Sequence, residues 1–175
     1  MDRFITIRDE DPATPEAGRL MDELSGTLEA ITGSSGRGSF EVVDICGGRA
    51  VFAVARDQDG KAVGCGAIRP DGDNTAEVKR MYAGEKGKGI GKKVLSYLEM
   101  RAWELGYRAL KLETRLINRR AVAFYEKNGY TRIPNYGKYA GRPEAVCFEK
   151  QLSAELKEKC DNSGENKKQQ GSISK

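Results

Sequence analysis

The stretch Lys86-Gly87-Lys88-Gly89-Ile90-Gly91-Lys92 packs three glycines and three lysines into seven residues. It stands between a segment that reads as a strand, Thr75 to Ala83, and one that reads as a helix. Glycines let a backbone turn tightly and come close to a ligand. The free N–H groups at a helix start point at whatever lies above them, and the helix dipole favours an anion there. Lys86, Lys88, Lys92 and Lys93 add positive charge. The chemistry this predicts is a phosphate or pyrophosphate cradle. A solvated surface turn would use the same residues. Two common phosphate motifs are excluded by spacing. Counting back from Gly91-Lys92 puts Lys86 where a Walker A loop needs its first glycine, and Lys93 follows where it needs Ser or Thr. The G-x-G-x-G spacing is also not the G-x-G-x-x-G of a dinucleotide-binding unit, and it follows a late strand rather than the first.

The residues that are missing narrow the chemistry further. The chain has no histidine, which removes Ser-His-Asp triads, Cys-His dyads, His-ligated metals and His bases. Acid–base work falls to carboxylates, Tyr, Lys, Cys, water or backbone. The cysteines Cys46, Cys65, Cys147 and Cys160 form no C-x-x-C, so the expectation is buried free thiols and no metal.

A chain of 175 residues predicts one domain. Apolar residues make up 38% and charged residues 32%, a polar but globular balance. No apolar run approaches the roughly 20 residues of a membrane span, and Met1 to Arg8 lacks the apolar core of a secretion signal. The expected location is cytoplasmic. Thirty basic against 26 acidic residues leave a net charge of +4, compatible with an anionic ligand but not demanding nucleic acid.

The elements that must position the loop are legible in the periodicities. Residues 3–8 alternate as a strand. Thr14-Pro15-Glu16 opens a helix with the apolar stripe Leu20, Leu24, Leu28 and Ile31. Residues 33–39 form a Gly/Ser-rich loop, and 40–46 a weak strand or short helix. Strands follow at 49–56 (apolar enough for burial on both faces), 62–69 and 75–83. Ile90, Val94, Leu98, Ala102 and Leu105 mark the helix after the glycine loop, closed by Gly106. A strand at 108–114, a helix at 119–127, and strands at 130–133 and 145–152 complete the domain, 1–152. From Ser153 the chain turns to Lys, Glu, Asn, Gln and Ser, which predicts a disordered tail, 153–175. Antiparallel hairpins followed by a β-α-β crossover predict a mixed α/β sheet with helices on both faces.

With the loop and the later Asn118…Ala121…Phe124-Tyr125-Glu126-Lys127-Asn128-Gly129-Tyr130 in this order, the chain resembles the GNAT family of N-acetyltransferases over residues 3–152. The resemblance implies a mostly antiparallel sheet of six or seven strands with a parallel, splayed central pair, Thr75–Ala83 and Arg108–Thr114. It implies acetyl-CoA as co-substrate in that cleft. Met81, Tyr82 and Ala83 would pair with the pantetheine arm, and backbone N–H groups from Gly87, Lys88, Gly89, Ile90, Gly91 and Lys92 would take the pyrophosphate. There are two departures. Lys86 stands where the family usually has Arg or Gln and cannot make a planar fork, and the segment between Tyr82 and Lys86 is about two residues short.

Asn118 matches a position that bonds the cofactor arm, though Asn is also a good helix N-cap. Tyr125 matches the family's general acid; a packed aromatic beside Phe124 is the alternative. The amine acceptor needs a base, and without His a carboxylate working through water is the choice. Glu77 is preferred and Glu113 second. Strict alternation puts Glu77, Lys79 and Met81 on one face of the strand. Tyr136 and Tyr139 would line the acceptor pocket or pack over the sheet end. The implied activity is transfer of acetyl to a primary amine of a small molecule. Acetylation of a protein lysine or N-terminus, and a CoA sensor without catalysis, are the alternatives. Nucleic acid is not expected as a partner, because the tail from Gln151 carries five lysines against four acids. No membrane partner is expected, and the oligomer is a monomer or homodimer.

Overall fold

The computed structural model describes residues 4–36, 41–84 and 88–155. Lys86, Gly87 and the tail beyond 155 lie outside the described residues. One seven-stranded sheet runs through the molecule in the order β1-β2-β3-β4-β5-β7-β6. The strands are β1 (Thr6–Asp9), β2 (Val51–Arg56), β3 (Ala62–Pro70), β4 (Thr75–Ala83), β5 (Ala109–Arg115), β6 (Thr131–Ile133) and β7 (Ala145–Gln151). Every neighbouring pair is antiparallel except β4 and β5, which are parallel. The helices are α1 (Pro15–Thr32), α2 (Ile90–Glu104) and α3 (Arg119–Lys127).

Local chemistry places the helix ends where the sequence puts them. The Thr14 hydroxyl accepts from the Ala17 amide at 3.2 Å, Pro15 needs no amide partner, and Gly33 closes α1 in the left-handed conformation. The expected weak element near 40–46 is a 3₁₀ turn, Val42–Ile45, not a strand.

Two apolar layers flank the sheet. On one face Val94, Leu95 and Leu98 of α2 pack with Val78, Leu110, Tyr125 and Phe148. On the other, Ala17, Leu20 and Met21 of α1 cover Val54, Cys65 and Ala67. β2 is buried on both faces, as its apolar run predicts. The α1 stripe is shorter than its periodicity: Leu20 and Leu24 are buried, but Ile31 is exposed. Inside the α2 layer, Glu99 is buried and takes the Lys150 ammonium at 3.0 Å. Lys150 also donates to the Asn128 carbonyl, tying α2, the end of α3 and β7 together.

Candidate active site

The parallel pair stays together for only three residues on each strand. Thr75, Ala76 and Glu77 face Ala109, Leu110 and Lys111, and then β4 and β5 part. The outer edge of β4 is taken by β3 and that of β5 by β7. The inner edges beyond Glu77 and Lys111 therefore have no strand between them. A cavity of about 370 Å³ opens there, walled by Leu24 and Leu28 of α1, Val78 to Met81 of β4, Glu113 to Arg115 of β5, and Asn118, Ala121 and Tyr125. The segment between β6 and β7 closes one side with Lys138, Tyr139, Arg142 and Glu144.

Alternation along β4 breaks inside this wall. Cys65 faces Tyr82, but Ala67 faces Lys79, so two residues of β4 oppose Gly66 alone. Arg80 has φ 55°, the one non-glycine residue in the left-handed region among those described. This is a β-bulge, and it overturns the expected facing. Glu77, Lys79 and Tyr82 lie on the α1 face, while Met81 crosses to the α2 face and touches the core there. Gly66 allows the crossing. A Cβ at that position would stand 2.5 Å from the Met81 sulfur and 2.9 Å from Val94 and Leu98.

Glu77 is the hub of a buried ion network and does not line the cavity. It takes Arg69 through two guanidinium nitrogens at 2.8 and 3.0 Å, the Tyr136 hydroxyl at 2.5 Å and the Lys79 ammonium at 3.2 Å. Burial would raise its pKa, but Lys79, the Tyr136 hydroxyl and Arg69 together outweigh that and hold it below the ordinary carboxylate value. A carboxylate so committed is a poor base. Lys79 is nine-tenths buried, donates to the Tyr139 hydroxyl at 2.7 Å and does line the cavity. Desolvation depresses its pKa against the pull of Glu77. Tyr136 and Tyr139 meet edge to face, 5.6 Å between centroids. Of the two only Tyr139 reaches the cavity; Tyr136 serves Glu77.

Glu113 has the opposite character. It lines the cavity, and its buried Oε1 has no hydrogen-bond partner. Its nearest cation is Arg115, at 3.9 Å. Burial raises its pKa, only partly offset by Lys79 and Arg115, so it is a stronger base than an ordinary carboxylate. Tyr125 lines the cavity from α3, packed against Phe124, Tyr130 and Phe148. Burial raises its pKa, which keeps the phenol protonated. Asn118 caps α3 by accepting from the Ala121 amide at 3.3 Å and also lines the cavity.

At the start of α2, Gly89 is the N-cap, with φ 70° and no side-chain cap, so the first amides of the helix are left for a ligand. The first turn holds no acid, and Lys88 and Lys92 are exposed beside it. The Ile90 side chain is buried in the core, so only its backbone faces outward. Met81 lines the cavity. The Tyr82 hydroxyl turns away to Glu23 at 3.0 Å, and Ala83 packs on the α2 core. These two residues offer a ligand their backbone edge alone. Such an edge together with a bare helix start suits a donor with an amide-bearing arm and a pyrophosphate. Sequence reasoning missed Leu24, Leu28, Lys138 and Arg142 as cavity residues. The leucines are indistinguishable from core in a helical stripe, and the cations sit on a segment with no periodicity.

Comparison with known proteins agrees with this geometry. Residues 26–130 match the model of the Acetyltransferase (GNAT) family. The chain is 31% identical over 151 residues to an IAA acetyltransferase of Azospirillum brasilense, covering 85% of this chain and 98% of the relative. A Klebsiella pneumoniae crystal structure described as an acyl-CoA N-acyltransferase aligns with TM-score 0.72 and 29% identity, covering 86% of this chain and 99% of that one. A GNAT family acetyltransferase of Elizabethkingia anophelis, solved with acetyl-CoA bound, shares the fold at TM-score 0.62 and 20% identity, covering 85% of this chain and 98% of that one. The chain belongs to the GNAT acetyltransferase family and is an acyltransferase.

Proposed function

We propose that the chain moves an acetyl group from acetyl-CoA directly to the primary amine of a small molecule. The observation that carries this reading is one cavity, at the point where β4 and β5 part, that holds a carboxylate, Glu113, whose buried Oε1 accepts no hydrogen bond, and a protonated phenol, Tyr125. Acetyl-CoA supplies an activated thioester. The amine nitrogen bonds to the acetyl carbon and the carbon–sulfur bond breaks.

The protein's residues hold and move protons around that exchange. The free edge of β4 at Met81, Tyr82 and Ala83, with Asn118, would hold the donor's arm. The amides from Gly89 to Lys92, continued by Lys86, Gly87 and Lys88, would hold its pyrophosphate. An amine is mostly protonated at neutral pH and must lose a proton to attack. Glu113 takes that proton, directly or through water. As the carbon–sulfur bond breaks, Tyr125 gives its proton to the departing sulfur, and the second proton, shed by the nitrogen as the amide forms, passes through water to restore the phenol. Glu77 sets the wall by anchoring Lys79, Tyr136 and Arg69 rather than by acting as the base.

The test is CoA release from acetyl-CoA across a panel of small amines and a histone-tail peptide, with Glu113→Gln and Tyr125→Phe beside the parent. Turnover on a small amine is expected. Glu113→Gln should cost about 10²–10⁴-fold, most severely at low pH, where free amine is scarce. Turnover on the peptide alone would move the reading to protein acetylation. Binding of acetyl-CoA without turnover on any amine would move it to a sensor.

A further inference from the structure

We propose that the acceptor, in addition to its amine, carries an anionic group held by Lys138 and Arg142. This rests on the acetyltransferase reading above and names the class of amine it acts on.

Five basic side chains line the cavity, Lys79, Arg80, Arg115, Lys138 and Arg142, against two carboxylates, Glu113 and Glu144. Some of that charge is answered within the protein. Lys79 is met by Glu77. Arg115 stands 3.9 Å from both Glu113 and Glu144. Lys138 and Arg142 differ. Both are exposed at the mouth, on the segment between β6 and β7, and neither has a carboxylate within ion-pair distance among the described residues. Lys138 rests over the Tyr139 ring, 5.7 Å from its centroid, and Asn135 fastens the loop by donating to the Arg142 carbonyl at 2.9 Å. The segment is held in place while its two cations stay open to the cavity.

These cations are not at the pyrophosphate end. That end is the start of α2, and Gly89 to Lys92 do not line this cavity. Their loop is fastened through Tyr136 and Tyr139 to Glu77 and Lys79, whereas Ala121 and Tyr125 of α3 pack in the core on the α2 face, so an acceptor enters from the loop side if the donor's arm lies along Asn118 and Tyr125. Leu24 and Leu28 give the same cavity an apolar wall. The arrangement offers an ammonium partner at Glu113, a short apolar surface, and an anion partner at Lys138 and Arg142. It fits a small amine with a carboxylate or phosphate. It repels polycations, because like charges brought together cost energy.

The experiment uses the full chain and matched pairs of amines. L-Phenylalanine is set against phenethylamine, γ-aminobutyrate against butylamine, and phosphoethanolamine against ethanolamine, with spermidine as the polycation. kcat/KM for the anionic member of a pair should exceed its twin by about tenfold, which is about 1.4 kcal/mol. The advantage should shrink as salt rises, because the cations are exposed. Which pair shows it separates carboxylate from phosphate. In Lys138→Ala/Arg142→Ala the KM for the anionic member should rise about tenfold more than for its twin. Calorimetry of the CoA-loaded protein should show the same loss of binding without turnover.

A preference for spermidine or the less charged twins overturns the inference and leaves the acetyltransferase reading standing. So does a rise in the acetyl-CoA KM equal to that for the acceptor, which would assign both cations to the donor. No turnover on any amine, with no acetyl-CoA-dependent stabilisation, overturns both.

Discussion

Glu77→Gln separates a structural carboxylate from a catalytic one. In the parent, Glu77 accepts from Arg69 twice, from Tyr136 and from Lys79, in a site where only about 5% of its side chain is exposed. Breaking a buried ion pair from one side costs about 3–5 kcal/mol, because the partner charges stay buried. Arg69 keeps Asp44 at 2.8 Å, and the glutamine oxygen keeps part of the bonding, so the lower end applies, about 3 kcal/mol. At roughly 2–4 °C per kcal/mol for a domain this size, Tm should fall by about 6–12 °C at neutral pH. The pH dependence has a definite sign. The folded pKa of Glu77 lies below its unfolded value, so its stabilisation is complete above the unfolded carboxyl range and is lost as pH falls through the folded value. The Tm gap between parent and variant should therefore narrow below about pH 4. Scanning calorimetry from pH 3 to 8, with kcat measured well below the variant's Tm, reads both effects. An unchanged Tm with a kcat loss of two or more decades that recovers at high pH would refute the structural role and restore Glu77 as the base.

Three further outcomes follow from the same geometry. Tyr125→Phe keeps the ring in its aromatic cluster, so Tm and acetyl-CoA affinity should hold while kcat falls by about 10²–10⁴-fold in steady-state assays. Gly89→Asp puts a side chain into a left-handed position and a negative charge at the bare start of α2, and should abolish the thermal shift that saturating acetyl-CoA gives the parent, about 2.7 kcal/mol at 100 times its Kd. Gly66→Ala forces a methyl against Met81, Val94 and Leu98, and should cost about 1–3 kcal/mol by denaturant unfolding.

How far the sequence speaks depends on whether a signal is local. The starts of α1 and α3 are written in Thr14, Pro15 and Asn118, each acting within four residues, and all three sit where they were read. The apolar run of β2 announces burial on both faces, and β2 is buried on both faces. The splayed pair came from resemblance, since no local residue states that β4 and β5 separate after Glu77. The identity of the cavity carboxylate was not legible. Glu77 and Glu113 are both acids on the central strands. What distinguishes them is the company supplied by Arg69 across the β3–β4 hairpin, by Lys79, and by Tyr136, 59 residues away in sequence. The cations at 138 and 142 stand on a segment with no period to read, and only its closure over the sheet gives them a cavity to face.

The bulge at Arg80 links these pieces. In a regular β4, Lys79 and Met81 would share a face and Tyr82 would take the other. A left-handed residue costs roughly 1–2 kcal/mol when it is not glycine, so the register change must be held by what surrounds it. The surroundings supply it on both sides. Met81 drops into the space above Gly66 and against Val94 and Leu98, while the Cys65 thiol meets the Arg80 carbonyl at 3.4 Å. One gain is apolar burial on the α2 face. The other is that Lys79 and Tyr82 stand together on the α1 face, with Lys79 held by Glu77 and Tyr139 and Tyr82 held by Glu23. β4 is thus pinned by side chains where it has lost its partner on the β5 side. An unpaired edge that must receive a ligand has to be kept straight by something other than a neighbouring strand, and here the ion network below and the Met81 plug above do so.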